Sequence, residues 1–180
     1  MLDREQRQWL LALARSTINA RLKNEPLPDD PPPSGPLLEN RGAFVTLSLD
    51  GALRGCIGHV IGSEPLWSSV RSNAINAAFR DPRFSPLTDE EFGSIEIEVS
   101  ALTPLWTVSS PGEITIGRDG LIIERGIHRG LLLPQVAERY GWTPEEFLDQ
   151  TCRKAGMAPG CWRKEDAEVS AFSADVFGES

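Results

Sequence analysis

The chain has 180 residues, 40% of them hydrophobic and 24% charged, with a formal net charge of −8 at pH 7. This composition is typical of a folded globular protein with one sizeable core. The acidic balance excludes a protein that wraps a nucleic-acid backbone, which requires a basic face. No apolar run approaches the roughly 20 residues of a transmembrane helix, so we expect neither nucleic acid nor membrane among its partners.

The N-terminal segment predicts an amphipathic helix. Charges occur throughout it and apolar residues recur at helical spacing, so we expect a helix over residues 3–22 rather than a secretory signal. The next segment, residues 24–36, holds six of the fourteen prolines. Because proline fixes φ and removes an amide donor, this segment is predicted to be an extended arm over the surface.

Residues 42–104 predict a first structural unit. Asp50-Gly51 lies between two β-rich runs and predicts a type I′ hairpin turn. A helix capped by Ser63 is expected next, and a capping box at residues 88–91 predicts a very short helix. Residues 95–101 then alternate apolar and polar side chains, as a half-buried strand does.

Residues 112–177 repeat this order. Asp119-Gly120 predicts a second turn among three short strands. Pro134 and Thr143 predict the starts of two helices, and the chain closes with a strand that ends near Phe177. The two halves therefore predict an α+β fold, in one domain over residues 1–180 built from two related units.

The chain contains three cysteines, Cys56, Cys152 and Cys161. The odd number, the wide spacing and the lack of an export signal predict free thiols in a reducing cytoplasm. Cys152 also falls on the buried stripe of the helix predicted after Thr143.

The segment LRGCIGHV contains the leading candidate site. Gly55 and Gly58 predict positive φ or a close backbone approach, and hence a kinked or bulged strand whose amides can bind an anion. Arg54 would favour a thiolate at Cys56, and His59 could act as its base if the bend brings the two together. In a regular strand Cys56 and His59 point to opposite faces, and Cys56 is then a small buried residue.

The spacing of Cys56 and His59 is also that of half a zinc site. The second half is missing, because Cys152 and Cys161 lie nine residues apart and His128 stands alone. We therefore predict no metal site and no other cofactor. The alternative is a labile metal held by Cys56, His59 and a carboxylate.

Three further side chains are candidates for the same site. Asp81 and Arg83, in the motif RDPRFSP, either brace the turn after a helix or place Arg83 as an anchor for a small anionic ligand. Glu98 either faces water or, if its strand face lines a cleft, acts as a general acid or base.

Several motifs resemble those of one known family. LRGCIG, AFRDPRFSP, IEIEVSALTP, GRDGLIIERG and GLLLPQVA occur in the family's order, and the match extends from about Phe44 to Phe177 and includes the N-terminal helix. On these motifs the chain is identified as a member of the AMMECR family, whose bacterial and archaeal members are called AmmeMemoRadiSam system protein A.

The resemblance implies an α+β fold of two β-β-β-α-α-β units that share a mixed, barrel-like sheet. A larger lobe and a smaller lobe are expected, with the N-terminal helix packed on the sheet. The resemblance also implies a Memo-type protein and a radical-SAM enzyme as partners, and it supplies no established reaction. His59 lies outside the signature hexapeptide, so a base common to the family would be another residue such as Glu98, or Cys56 would work without one.

Two functional hypotheses follow. In the first, Cys56 lies in a cleft with Arg54, Arg83 and a carboxylate, and captures or transfers a small anionic group. In the second, the LRGCIG segment is a non-catalytic docking surface, and the partner proteins perform the chemistry.

Overall fold

The computed structural model describes residues 1–30, 32 and 35–179. Pro31, Pro33 and Ser34 of the predicted arm lie outside the described residues, as does Ser180. The chain forms two compact units. The first contains Met1–Pro104 together with the C-terminal residues from Asp175, and the second contains Leu105–Ala174.

The described residues of the first unit form the α-helices α1 (Arg4–Leu22), α2 (Leu66–Phe79) and α3 (Asp89–Phe92). Helix α1 lies where the sequence predicted a helix and begins with a capping box between Asp3 and Gln6. Helix α2 begins later than predicted, because Pro65 and not Ser63 is its N-cap residue. The capping box predicted before α3 is confirmed between Thr88 and Glu91.

The sheet of the first unit contains β1 (Ala43–Leu49), β2 (Ala52–His59) and β3 (Ile95–Leu102). Strand β1 lies in the middle and pairs with both neighbours. The predicted hairpin turn is confirmed, since Asp50 and Gly51 both have positive φ, 51° and 77°. One face of this sheet packs on the helices, with a core that includes Val45, Leu47, Ile97, Val99, Val70 and Ala77.

The second unit contains the strands β4 (Trp106–Thr107), β5 (Asp119–Arg125) and β6 (His128–Leu132), and the helices α4 (Pro134–Tyr140) and α5 (Pro144–Lys154). The last strand, β7 (Glu168–Gly178), begins in this unit and its final residues belong to the first. Strand β5 pairs with β6 and β7, and β4 pairs with β7. The predicted α+β class is confirmed. All of the strand pairs described here are antiparallel, so they do not form the mixed sheet that the resemblance implied.

The second predicted turn, at Asp119-Gly120, is wrong. Both residues lie in β5, and the turns occur at Gly117 and Gly126, whose φ values are 82° and 58°. Gly120 has a packing role instead, because a Cβ atom there would lie 2.3 Å from the ring of Phe172. The carboxylate of Asp119 is fully buried and pairs with Arg118. Burial raises the pKa of this carboxyl and the hydrogen bond from Arg118 lowers it, and the net result is a lowered pKa.

The prediction of three free cysteines is also wrong. Cys152 and Cys161 are both buried and form a disulfide. Gly156 and Gly160 adopt positive φ, 77° and 81°, and reverse the chain after α5, which brings the two Cα atoms within 5.9 Å. Cys56 is the remaining free thiol. Across the described residues, no helix combines the length and apolarity that a membrane crossing requires.

Candidate functional site

The LRGCIG segment lies in β2, which pairs with β1 through a β-bulge. Thr46 lies opposite Cys56 and Ser48 lies opposite Leu53, so the register shifts by one residue between Leu47 and Ser48. Arg54 is the extra residue. The bulge confirms the predicted irregularity, and it re-aims the side chains that follow it.

The two glycines of the motif allow close backbone contacts. Neither Gly55 nor Gly58 has positive φ. A Cβ atom at Gly55 would lie 2.1 Å from the carbonyl oxygen of Ala77 in α2, and one at Gly58 would lie 2.2 Å from that of Ala43. Of the two alternatives predicted for these glycines, the structure therefore has close approach. Their predicted part in ligand binding stays a prediction.

Asp81 and Arg83 together hold the main chain of Cys56. The N–H of Cys56 donates to Oδ2 of Asp81 at 2.9 Å, and its carbonyl accepts from Nη2 of Arg83 at 3.2 Å. The two side chains also pair with each other, at 3.0 and 2.7 Å. They occupy the position of a neighbouring strand, and we call them the Asp81–Arg83 clamp.

Electrostatics favour the charged form of the clamp. Asp81 is only 3% exposed, and its hydrogen bonds from Arg83 and from the N–H of Cys56 hold the pKa of its carboxyl well below the usual range. The hydrogen bond with Asp81 raises the pKa of Arg83, and an electrostatic interaction with Cys56 adds to that rise. The clamp is therefore an ion pair throughout the neutral pH range.

Arg54 belongs to a second ion pair at the same strand. Its Nε and Nη2 atoms both donate to the carboxylate of Glu91, each at 2.9 Å. This pairing, with the N–H of Thr88, lowers the pKa of Glu91 to about 2. The guanidinium groups of Arg54 and Arg83 lie 5.9 and 5.5 Å from the centre of the Phe84 ring. Both arginines predicted to bind a ligand are thus paired with carboxylates.

The Cys56 side chain is half-buried and lies on the sheet face that points away from the helices. The hydroxyl of Thr46 donates to its Sγ atom at 3.2 Å. Thr46 also lies opposite Glu98 in β3, and Glu98 is exposed. Cys56, Thr46 and Glu98 therefore form one row across three strands, which we call the Cys56 row. We call the sheet surface that carries it the outer face.

The Cys56 row brings together two of the predicted residues and adds one that sequence reasoning missed. Thr46 carries no motif. It could have been found only by combining the alternation of β1 with the register of the hairpin.

His59 is not brought to Cys56. No register shift separates the two residues, so they project from opposite faces of β2, and His59 lies opposite the core residue Ala43. The part of the chain that the structure describes brings no three His, Cys, Asp or Glu side chains together as a metal site would.

Comparisons with known proteins agree on one family. The family model described as AMMECR1 matches residues 11–177. A protein of Thermococcus onnurineus is 47% identical over 96% of this chain and 89% of its own length, and one of Methanothermobacter thermautotrophicus is 46% identical over 99% and 96%. The crystal structure of uncharacterized protein PH0010 from Pyrococcus horikoshii superposes with a TM-score of 0.76, at 42% identity, covering 99% of this chain and 94% of that one. The chain therefore belongs to the AMMECR1 family.

Proposed function

We propose that the outer face at the Cys56 row binds a small molecule and that Cys56 captures it covalently. In this step the thiolate sulfur attacks an electrophilic carbon or sulfur of the ligand. A new bond to Sγ forms, and the leaving group departs with the electron pair of the bond that breaks. Glu98 is the carboxylate proposed to exchange a proton with the ligand.

The observation that carries the proposal is the way in which Cys56 is held. The Asp81–Arg83 clamp fixes both its main-chain groups, and the Thr46 hydroxyl fixes its sulfur at 3.2 Å. The side chain nevertheless keeps some exposure. A nucleophile must be positioned and accessible at once, and a thiol that only fills a core needs neither clamp nor hydroxyl.

The test is alkylation of the folded, unreduced protein with iodoacetamide, followed by mass spectrometry. Because Cys152 and Cys161 are joined, one adduct per chain is expected, at Cys56. The rate, measured from pH 5 to pH 10, reports the thiolate fraction. Cys56→Ser is the matched control and must give no adduct. If Cys56 reacts only after the protein is unfolded, the proposal fails.

A second candidate function is docking of partner proteins on the LRGCIG segment. Leu53 in β2 and Ile61, two residues beyond the end of that strand, are 46% and 44% exposed, which favours an apolar contact. The Asp81–Arg83 clamp binds the main chain of Cys56 along the edge of β2 that does not pair with β1. A partner would therefore bind to the outer face rather than add a strand to the sheet. The family resemblance suggests a Memo-type protein and a radical-SAM enzyme in the cytoplasm as these partners.

The docking function is tested by calorimetric titration of the purified chain with each of the two proteins. Binding that is lost in Leu53→Lys and kept in Leu38→Lys would support it, since Leu38 is equally exposed, at 51%, but lies outside β2. No heat of binding with either protein would rule it out.

A further inference from the structure

We infer that the ligand of the Cys56 row is an organic cation, with an electrophilic end that reaches Cys56 and a positive charge that lies over Glu98. This inference rests on the proposed function and names its class of ligand. It departs from the anionic ligand that the sequence suggested, and three features of the structure lead to it.

The first feature is the pairing of both nearby arginines. Arg54 donates two hydrogen bonds to Glu91, and Arg83 donates two to Asp81. Each guanidinium is matched by one carboxylate at hydrogen-bond distance, so the positive charges are largely cancelled at the distance of a ligand on the outer face. An anion would have to compete with carboxylates that are already in place.

The second feature is the negative charge of the outer face itself. Glu96 and Glu98 alternate with the buried residues of β3, and both are exposed. Glu98 lies opposite Thr46, on the side of β1 away from Cys56. Glu96 lies two residues earlier in β3, opposite Ser48. Strands β1 and β3 carry no basic side chain on this face, as their sequences AFVTLSL and IEIEVSAL show. Glu96 also lines a surface pocket with Arg4 and Arg15, so the carboxylate that the ligand meets is chiefly that of Glu98.

The third feature is an aromatic ring beside the row. Phe44 lies on the same face as Thr46, opposite Gly58. Its Cδ1 atom occupies the space beside Gly58, 2.5 Å from where a Cβ atom would be, so its ring packs over this glycine, two residues after Cys56. Aromatic faces and carboxylates together are the groups that bind organic ammonium ions.

The spacing of the row sets the length of the ligand. Neighbouring strands lie about 4.8 Å apart, so the positions of Cys56 and Glu98 are separated by roughly 10 Å across β1. A ligand that satisfies both groups carries its reactive atom and its positive charge within about this distance.

The inference is tested with three methanethiosulfonate reagents that differ in charge. In each, the Cys56 thiolate attacks the thio sulfur, a disulfide forms, and methanesulfinate leaves with the electron pair. The reagents carry a trimethylammonioethyl, a methyl or a sulfonatoethyl group. Each rate with the folded protein is divided by the rate with free cysteine in the same buffer, which removes the intrinsic reactivity of the reagent.

A unit charge at roughly 10 Å in water changes such a rate by about twofold. With the Glu98 carboxylate and reagents of opposite sign, we expect the cationic reagent to react about threefold faster than the anionic one at low ionic strength. The ratio should fall towards one in 0.5 M salt, where the Debye length is only about 4 Å.

Two charge variants localise the effect. Glu98→Gln should reduce the normalised ratio by about half or more, whereas Glu5→Gln removes the same charge from the first turn of α1 and should leave the ratio unchanged. A ratio of one or less in the wild type, with normal reaction of the neutral reagent, overturns the cation and leaves the proposed function standing. Equal ratios in the two variants also overturn it. No reaction with any of the three reagents overturns both.

Discussion

The carboxylate of Asp81 accepts a hydrogen bond from the main-chain N–H of Cys56, at 2.9 Å. The two residues are 25 positions apart, and Asp81 follows the helix that packs under β2. The outward N–H of an edge strand normally bonds to water or to another strand. Here the buried carboxylate of Asp81 accepts the hydrogen bond from that N–H, and Arg83 donates one to the carbonyl. The same contacts leave no room for a further strand at this position and fix the main chain of the cysteine.

Removal of the Asp81–Arg83 clamp should increase the mobility of the main chain at Cys56 while the protein stays folded. In Asp81→Ala the N–H of Cys56 loses its acceptor, and we expect its hydrogen exchange to accelerate by roughly tenfold or more, as for loss of one charge-assisted hydrogen bond. Arg83→Ala, which spares that bond, should have a smaller effect. Asp89→Ala, an exposed acid in α3, is the control. Unchanged exchange at Cys56 in Asp81→Ala would show that the clamp does not hold the strand.

The Arg54–Glu91 pair predicts a pH dependence of stability. The pKa of Glu91 is lowered from 4.5 to about 2 in the folded protein. A carboxyl whose pKa is lowered by folding stabilises the protein above its unfolded pKa, and this contribution is lost as the pH falls through the folded value. The free energy that separates wild type from Glu91→Gln should therefore be constant above about pH 5.

The size of that difference is expected to be about 1–2 kcal/mol at pH 7. It should shrink progressively as the pH falls from about 4.5 to 2, measured by urea unfolding at each pH. Glu90→Gln, the exposed neighbour in α3, should show little difference at any pH. A difference between wild type and Glu91→Gln that does not change with pH would contradict the pairing.

Gly55 should tolerate no side chain. A Cβ atom there meets the carbonyl oxygen of Ala77 at 2.1 Å, and this oxygen belongs to the backbone of a packed helix that cannot rotate away. We expect Gly55→Ala to cost about 3 kcal/mol or more. Gly93→Ala is the matched control, since a Cβ atom there meets nothing within 4 Å, and its effect should be under about 1 kcal/mol. Equal thermal midpoints for the two variants would contradict the close approach of β2 and α2.

The sequence predicts the elements of this fold well, because turn chemistry, capping boxes and alternation are local. It does not predict the register of β2. A two-residue turn without a bulge pairs Leu49 with Ala52 and would place Cys56 opposite the core residue Val45. The extra residue Arg54 moves Cys56 opposite Thr46 instead, and so turns it to the outer face. A shift of one residue in the register of β2 therefore decides whether the thiol lies in the core or in the candidate site.

The remaining errors share a cause, which is contact made by residues distant in sequence. Asp119-Gly120 has the composition of a turn, but the packing of Phe172 against Gly120 places it in a strand. The sequence predicts Arg54 and Arg83 as residues that bind an anionic ligand, but in the structure each is paired with a carboxylate of the chain itself. The sequence does not predict the pairing of Cys152 with Cys161, because the chain reversal depends on two positive-φ glycines between them.

That disulfide leads to the last prediction, which concerns stability under reducing conditions. The bond closes a loop of ten residues, from Cys152 to Cys161. Closure of such a loop lowers the conformational entropy of the unfolded chain and so stabilises the folded protein by about 3 kcal/mol. We expect the urea midpoint of the wild type to fall when a reductant is added, and that of a Cys152→Ala/Cys161→Ala variant to be low and insensitive to it. Cys56→Ser should keep the full response, since Cys56 is not bonded. Three titratable thiols in the unreduced protein after denaturation would show instead that the two cysteines are not joined, and the folded chain would then be as stable with reductant as without it.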